Sequence, residues 1–184
     1  ALRGQVGPAR EVSPGLIWIT ILLAGTLGLN RSFASERENS SLDALLMAPV
    51  ERWAIYLGKV IAISLFVFGL EIITAFFFFI FFNQPYLLPQ VLGVLFLGTI
   101  GFVAAGVLVT AMTIQTRSRD VLLPVLLLPL VLPAVLAAGF VTGTFINDGD
   151  YTWNTVGFPI SLIVLYDTLM LLAGLLGFRF VVEE

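Results

Sequence analysis

The 184-residue chain contains no cysteine and no histidine. Without cysteine there is no disulfide framework and no thiolate metal site, and the sequence is silent about redox compartment. Without histidine the Ser/His/Asp and Cys/His constellations are impossible, although carboxylates by themselves could still do acid–base work. Charge is scarce too. Charged residues make up 11% of the chain, less than half the share of soluble domains, and the formal net charge of −3 is too small and too scattered to recommend nucleic acid or another polyanion as a partner. What fills the chain instead is hydrocarbon: 59% hydrophobic residues, 16 of them Phe, and a mean hydropathy of +1.03. Long uncharged runs leave no polar skin for a soluble core, so the fold class is an all-α, polytopic membrane helix bundle forming a single transmembrane domain over 1–184.

Crossing about 30 Å of hydrocarbon takes roughly 20 apolar residues in a helix. Five segments qualify, at about 14–30, 60–82, 91–112, 121–141 and 158–182. In the first, Ser13-Pro14 reads as an N-cap followed by proline at the first helical position. The second carries eight Phe. The third is rich in small residues, with Gly101 and Ala105 spaced four apart so that a neighbouring backbone can approach closely. The fourth holds Pro124, Pro129 and Pro133, which predicts a kinked helix whose freed carbonyls need partners inside a bundle. Near the middle of the second and fifth spans sit two acids, Glu71 and Asp167.

Orientation follows from Lys and Arg. Putting 31–59, 115–120 and the C-terminal tail on one side collects Arg31, Arg37, Arg52, Lys59, Arg117, Arg119 and Arg179, against Arg3 and Arg10 opposite. That asymmetry predicts a cytoplasmic 31–59 segment, with the loops at 83–90 and 142–158 facing outward. The segment "SFASERENSSLDALLMAPVERWAIYLGK" holds 7 of the 21 charged residues. Ser40 and Asp43 form a capping box, Leu42, Leu45 and Leu46 share one face of a two-turn amphipathic helix, and Pro49 ends it. Glu36, Arg37, Glu38 and Asp43 supply the polar side. Trp53 and Tyr56 suit the headgroup level, where Arg52 and Lys59 can snorkel. Taken by itself the segment fits either a helix resting on lipid or a docking element for a cytoplasmic protein.

The run from Val12 to Lys59 resembles the haem exporter protein B (CcmB) family, the membrane subunit of the ABC transporter of cytochrome c maturation. The resemblance rests on Ser13-Pro14-Gly15 with Ile17-Trp18, on Phe33…Glu36, on Leu42…Leu45-Leu46…Pro49 and on Gly58-Lys59. The loop "TRSRD", with Arg117, Arg119 and Asp120, and the proline-rich span after it are also similar to the family, and the overall pattern is more distantly similar to ABC-2 type exporter permeases. The resemblance implies that 36–49 is a coupling helix seated in a groove of a cytoplasmic ABC ATPase subunit. It also implies a dimer of permease subunits, haem-handling membrane partners, a periplasmic haem chaperone and a bacterial inner-membrane location. Family members have six spans, so an upstream first span is expected beyond the five seen.

Gly58-Lys59 is not the end of a phosphate-binding loop, because Trp53 stands five residues before Gly58 and Val60 follows Lys59. ATP is therefore expected to bind a partner subunit, with no cofactor in this chain and no enzymatic activity of its own. Only Met47, Met112, Met170 or a tyrosine could ligate haem iron here. Glu71 and Asp167 read either as a polar lining or proton relay, or as neutral acids hydrogen-bonded to a neighbouring helix. Two further functions stay open: a non-transporting scaffold for cytochrome c assembly proteins, and an ion-coupled carrier using Glu71 and Asp167.

Overall fold

The computed structural model describes residues 6–38, 51–113, 119–147 and 151–182. Their regular structure is entirely helical: α1 (Val6–Glu38), α2 (Arg52–Phe82), α3 (Pro89–Thr113), α4 (Arg119–Asn147) and α5 (Trp153–Val182). All five are long and apolar enough to cross a membrane, which makes this a multi-pass membrane protein. Successive helices run in alternating directions, so the 83–88 loop, the end of α4 and the start of α5 share one end. The start of α2, the end of α3 and the end of α5 share the other.

Each helix overruns the span predicted for it. Hydropathy reports where the hydrocarbon is, and the backbone stays helical after charge has ended the span. The Ser13-Pro14 cap is overturned for this reason: α1 begins at Val6 and Pro14 lies inside it. The proline ring fits beside α4, with its Cγ and Cβ 3.5 and 3.6 Å from where a β-carbon on Gly143 would stand. Residues 31–38 continue α1 rather than opening a loop, and 52–59 already belong to α2. α4 is helical through Pro124, Pro129 and Pro133. α2 ends at Asn83, whose φ of 49° is the left-handed cap that asparagine tolerates.

α3 is the central helix. It packs against all four others, which follow one another around it in the order α1, α2, α5, α4. In its most apolar window 67% of residues are buried, against 17% for α2, whose phenylalanine face is turned outward. Lipid tails are as apolar as leucine, so close packing rather than the hydrophobic effect must hold such a centre. Glycines permit it. A β-carbon on Gly98 would strike the Trp18 ring from α1, one on Gly101 would meet Asp167 Oδ1 and come within 2.8 Å of the Tyr166 ring from α5, and one on Gly106 would strike Leu29. The device also runs outward. Gly25 of α1 receives Phe102 and Gly174 of α5 receives the Tyr56 ring. The small-residue spacing expected at Gly101 and Ala105 is thus part of a longer set of such contacts.

Gly98→Leu and Gly101→Leu should each destabilise the bundle by about 1–3 kcal/mol, the usual cost of overpacking. Gly93→Ala, whose added β-carbon meets nothing within 4 Å, should not destabilise the bundle. Reversible unfolding in mixed detergent checks this, and equal effects at Gly93 and Gly98 would contradict the packing.

Candidate functional site

Polar side chains in the bundle fall into two groups. The first closes the end that carries the 83–88 loop. Ser13 Oγ donates to Gln84 Oε1 at 2.6 Å, Tyr86 donates to Ser13 Oγ at 2.6 Å, and Gln84 Nε2 donates to Asn147 Oδ1 at 3.1 Å. One chain of hydrogen bonds therefore ties α1, the loop and the end of α4. Trp18 Nε1 donates to Thr142 Oγ1 at 3.1 Å one turn further in. Ser13 and Trp18, two of the residues that carry the family resemblance, thus hold α1 against its neighbours. Burial raises the Tyr86 phenol from its ordinary 10 to about 12, and the bond with Ser13 opposes this only in part.

The second group lies at mid-bundle on α2 and α5. Glu71 is 1% exposed, and its Oε1 is hydrogen-bonded to Thr99 Oγ1, whose single proton is shared with Leu95 O on α3. Asp167 is 5% exposed and sits with Tyr166 against Gly101. Thr99 and Gly101 are two residues, about 3 Å of rise, apart on α3, so both acids meet the central helix at one depth. The expectation that each acid faces the bundle interior holds. Their surroundings differ, however. Glu71 has a hydroxyl partner on one oxygen, while Asp167 lies beside a Gly101 amide already engaged in the α3 ladder. Five buried side-chain oxygens lack a hydrogen-bond partner among the described residues: Ser64 Oγ, Glu71 Oε2, Tyr166 Oη and both oxygens of Asp167.

Tyr56, on the second turn of α2, is buried among its neighbours at 0% exposure rather than turned outward. Its single hydroxyl proton is shared between Ala104 O at 3.1 Å and Met170 O at 3.3 Å, and its ring fills the space over Gly174. The reason is register. Tyr56, Val60, Ser64, Val67, Glu71 and Ala75 recur at three- and four-residue steps and form the buried stripe of α2. That periodicity was available in the sequence and would have found Tyr56 and Ser64. Trp53, off the stripe, is 49% exposed, and its indole donates to Glu51. Glu51, Arg52, Trp53 and Leu175 line a recess of about 330 Å³ between the start of α2 and the last third of α5.

The predicted cytoplasmic residues are only partly covered. Glu36, Arg37 and Glu38 form the last turn of α1, and Arg119 and Asp120 open α4. Leu42, Asp43, Leu45, Leu46, Pro49 and Arg117 lie outside the described residues. Among the described residues no three His, Cys, Asp or Glu side chains form a group able to hold a metal ion.

Five interlocked spans around a glycine-lined centre, with buried acids, define a polytopic α-helical membrane protein. The family model for "CcmB protein" matches residues 5–173, and the chain belongs to that family. It is similar to "Heme exporter protein B" of Rhodobacter capsulatus, 34% identical over 132 residues, 67% of this chain and 59% of that protein. The protein of the same name in Paracoccus denitrificans is 33% identical over 134 residues, 67% of this chain and 57% of the relative. That of Escherichia coli K12 is 34% identical over 62 residues, 32% of this chain and 28% of the relative. The chain therefore spans less than two thirds of the length of these curated relatives.

The raised Tyr86 value has a sign that can be measured. The folded state holds that proton more tightly than the unfolded one, so the contribution is whole below about pH 10 and is lost as pH rises toward 12. Stability of the parent protein should fall more steeply across that window than that of Tyr86→Phe. Parallel pH profiles would contradict a buried, protonated phenol at this end.

Proposed function

We propose that this chain is the permease-type membrane subunit of an ATP-driven exporter serving cytochrome c maturation in the bacterial inner membrane. The observation that carries the reading is the CcmB family match over 5–173, together with relatives named "Heme exporter protein B". The ATP is bound and hydrolysed by a separate cytoplasmic ATPase subunit, and haem is either the cargo or is handled by membrane partners that deliver it to a periplasmic chaperone. The excess of Lys and Arg counted in the sequence on the side of 31–59 supports a cytoplasmic α2-start end.

The 36–49 segment is the coupling element in this reading, docking through Leu42, Leu45 and Leu46. Two features of the bundle support it. α2 starts at Arg52, just after the segment, and runs unbroken for 31 residues, about 46 Å, so a push at its start reaches the far end of the bundle. Its foot is engaged as well, because Tyr56 is hydrogen-bonded to both α3 and α5. Closure of an ATPase dimer would then tilt α2 against α3 and α5 as one lever, with the proline-bearing α4 as the compliant side.

Leu46→Asp should abolish ATP turnover stimulated by the membrane subunit while leaving insertion and complex assembly intact. Reconstituted ATPase assays check this, and normal stimulated turnover in an inserted, assembled variant would overturn the coupling role and favour a scaffold.

A further inference from the structure

Every buried side-chain oxygen left without a hydrogen-bond partner among the described residues belongs to α2 or α5. At the 83–88 end the buried polar groups Ser13, Gln84 and Tyr86 are joined to one another. Leaving a buried hydroxyl or carboxyl unbonded costs of order 1–3 kcal/mol, so five such atoms on two adjoining helices call for an occupant that supplies hydrogen bonds.

The geometry connects them. Asp167 and Tyr166 rest on Gly101 of α3. Three residues along α3, at Ala104, and three along α5, at Met170, the carbonyls are met by the Tyr56 hydroxyl. That hydroxyl therefore lies within about one helical turn of the Asp167 carboxyl on both supporting helices. On its other side the Tyr56 ring covers Gly174, and Leu175, the next residue, lines the recess shared with Glu51, Arg52 and Trp53. The contact between α2 and α5 thus runs from the open recess, past Tyr56, to the level of Asp167. Ser64 and Glu71 lie further along the same buried stripe of α2.

The charged surroundings are few. α3 carries no ionisable side chain, and none stands on α1 between 12 and 30 or on α4 between 121 and 147. α5 contributes Tyr166 and Asp167, with Arg179 twelve residues beyond. α2 contributes Tyr56 and Glu71, with the half-buried Lys59 one turn past Tyr56. Oxygen-only groups of this kind suit protons and water, and a charged acid at this depth is expensive.

We propose that Asp167, Tyr166, Ser64 and Glu71 line a hydrated proton-binding site at mid-membrane, which exchanges with water at the α2-start face through the α2–α5 seam, Tyr56 standing in the route. The carboxyl groups hold their protons there, and exchange transfers a proton between carboxyl and water with no other bond made or broken. The site does not depend on the exporter reading, since it needs neither ATP nor haem.

Infrared difference spectroscopy on the full-length protein, purified with its complex and reconstituted in lipid, tests it without any turnover. Protonated-carboxyl bands should appear at neutral pH and shift on transfer to D2O, with one band lost in Asp167→Asn and another in Glu71→Gln. Tyr56→Phe should slow the Asp167 shift about tenfold, the effect of one hydrogen bond. Carboxylate bands alone, or acid bands that stay unshifted in D2O, would overturn the site. Asp167 exchange as fast in Tyr56→Phe as in the parent would overturn the route. Ser64→Ala, a milder change, gives the same reading if an acid variant fails to fold: altered exchange supports the hydrated site, and unaltered exchange removes Ser64 and contradicts the lining as drawn.

Discussion

The missing side chains on α3 are the constraint from which the rest of the structure follows. A helix packed on four sides inside a membrane gains nothing from hiding apolar surface, because lipid would cover that surface equally well. It must gain from contact distance, and that requires glycine where a partner's large side chain arrives. Gly98 admits Trp18 and Gly106 admits Leu29, both from α1, whereas Gly101 admits the Tyr166 and Asp167 pair from α5. Each incoming group is bulky or polar, so its position is specified by shape and not merely tolerated.

Polar chemistry is distributed around this centre unevenly, and the unevenness separates holding from exchanging. At the 83–88 end, Ser13, Tyr86, Gln84 and Asn147 form a chain of hydrogen bonds that ties α1 and α4 to the loop. Along the α2–α5 seam, tyrosine, serine and two acids are buried with oxygens to spare. The first arrangement fixes one end of the ring. The second leaves α2, the helix with the most outward-facing surface, engaged with α3 and α5 through Tyr56 and Glu71. On the proposed reading, in which α2 follows directly on a docking segment, a fixed far end and polar groups along α2 are a workable mechanical division.

How much of this was legible beforehand depended on which force set each feature. The five spans were, because the cost of charge in hydrocarbon is read directly from composition. Helix ends were not, since α1 runs from Val6 to Glu38 through a Ser-Pro pair that looks like a start. There a long-range demand decided the outcome: Ser13 serves Gln84 and Tyr86 across the bundle rather than capping its own helix. The interior placement of Glu71 and Asp167 was legible from their desolvation cost alone. The packing role of Tyr56 is less visible beside Trp53 and Lys59, although its spacing from Val60, Ser64, Val67 and Glu71 marks the buried stripe. Which glycine receives which side chain depends on pairings between distant helices and cannot be read from spacing along one of them.

The most direct test of the central place of α3 uses the absence of native cysteine. Single cysteines carrying a nitroxide label, introduced at successive non-glycine positions along α3 and α2 in lipid, report oxygen accessibility residue by residue. Along α2 accessibility should rise and fall with the helical period, high at Leu65 and Ile73 and low at Val60 and Val67. Along α3 from Phe102 to Val107 it should stay low, as expected where the helix is enclosed on all sides. A helical oscillation on α3 as large as that on α2 would mean that α3 has a lipid face, and would contradict the account.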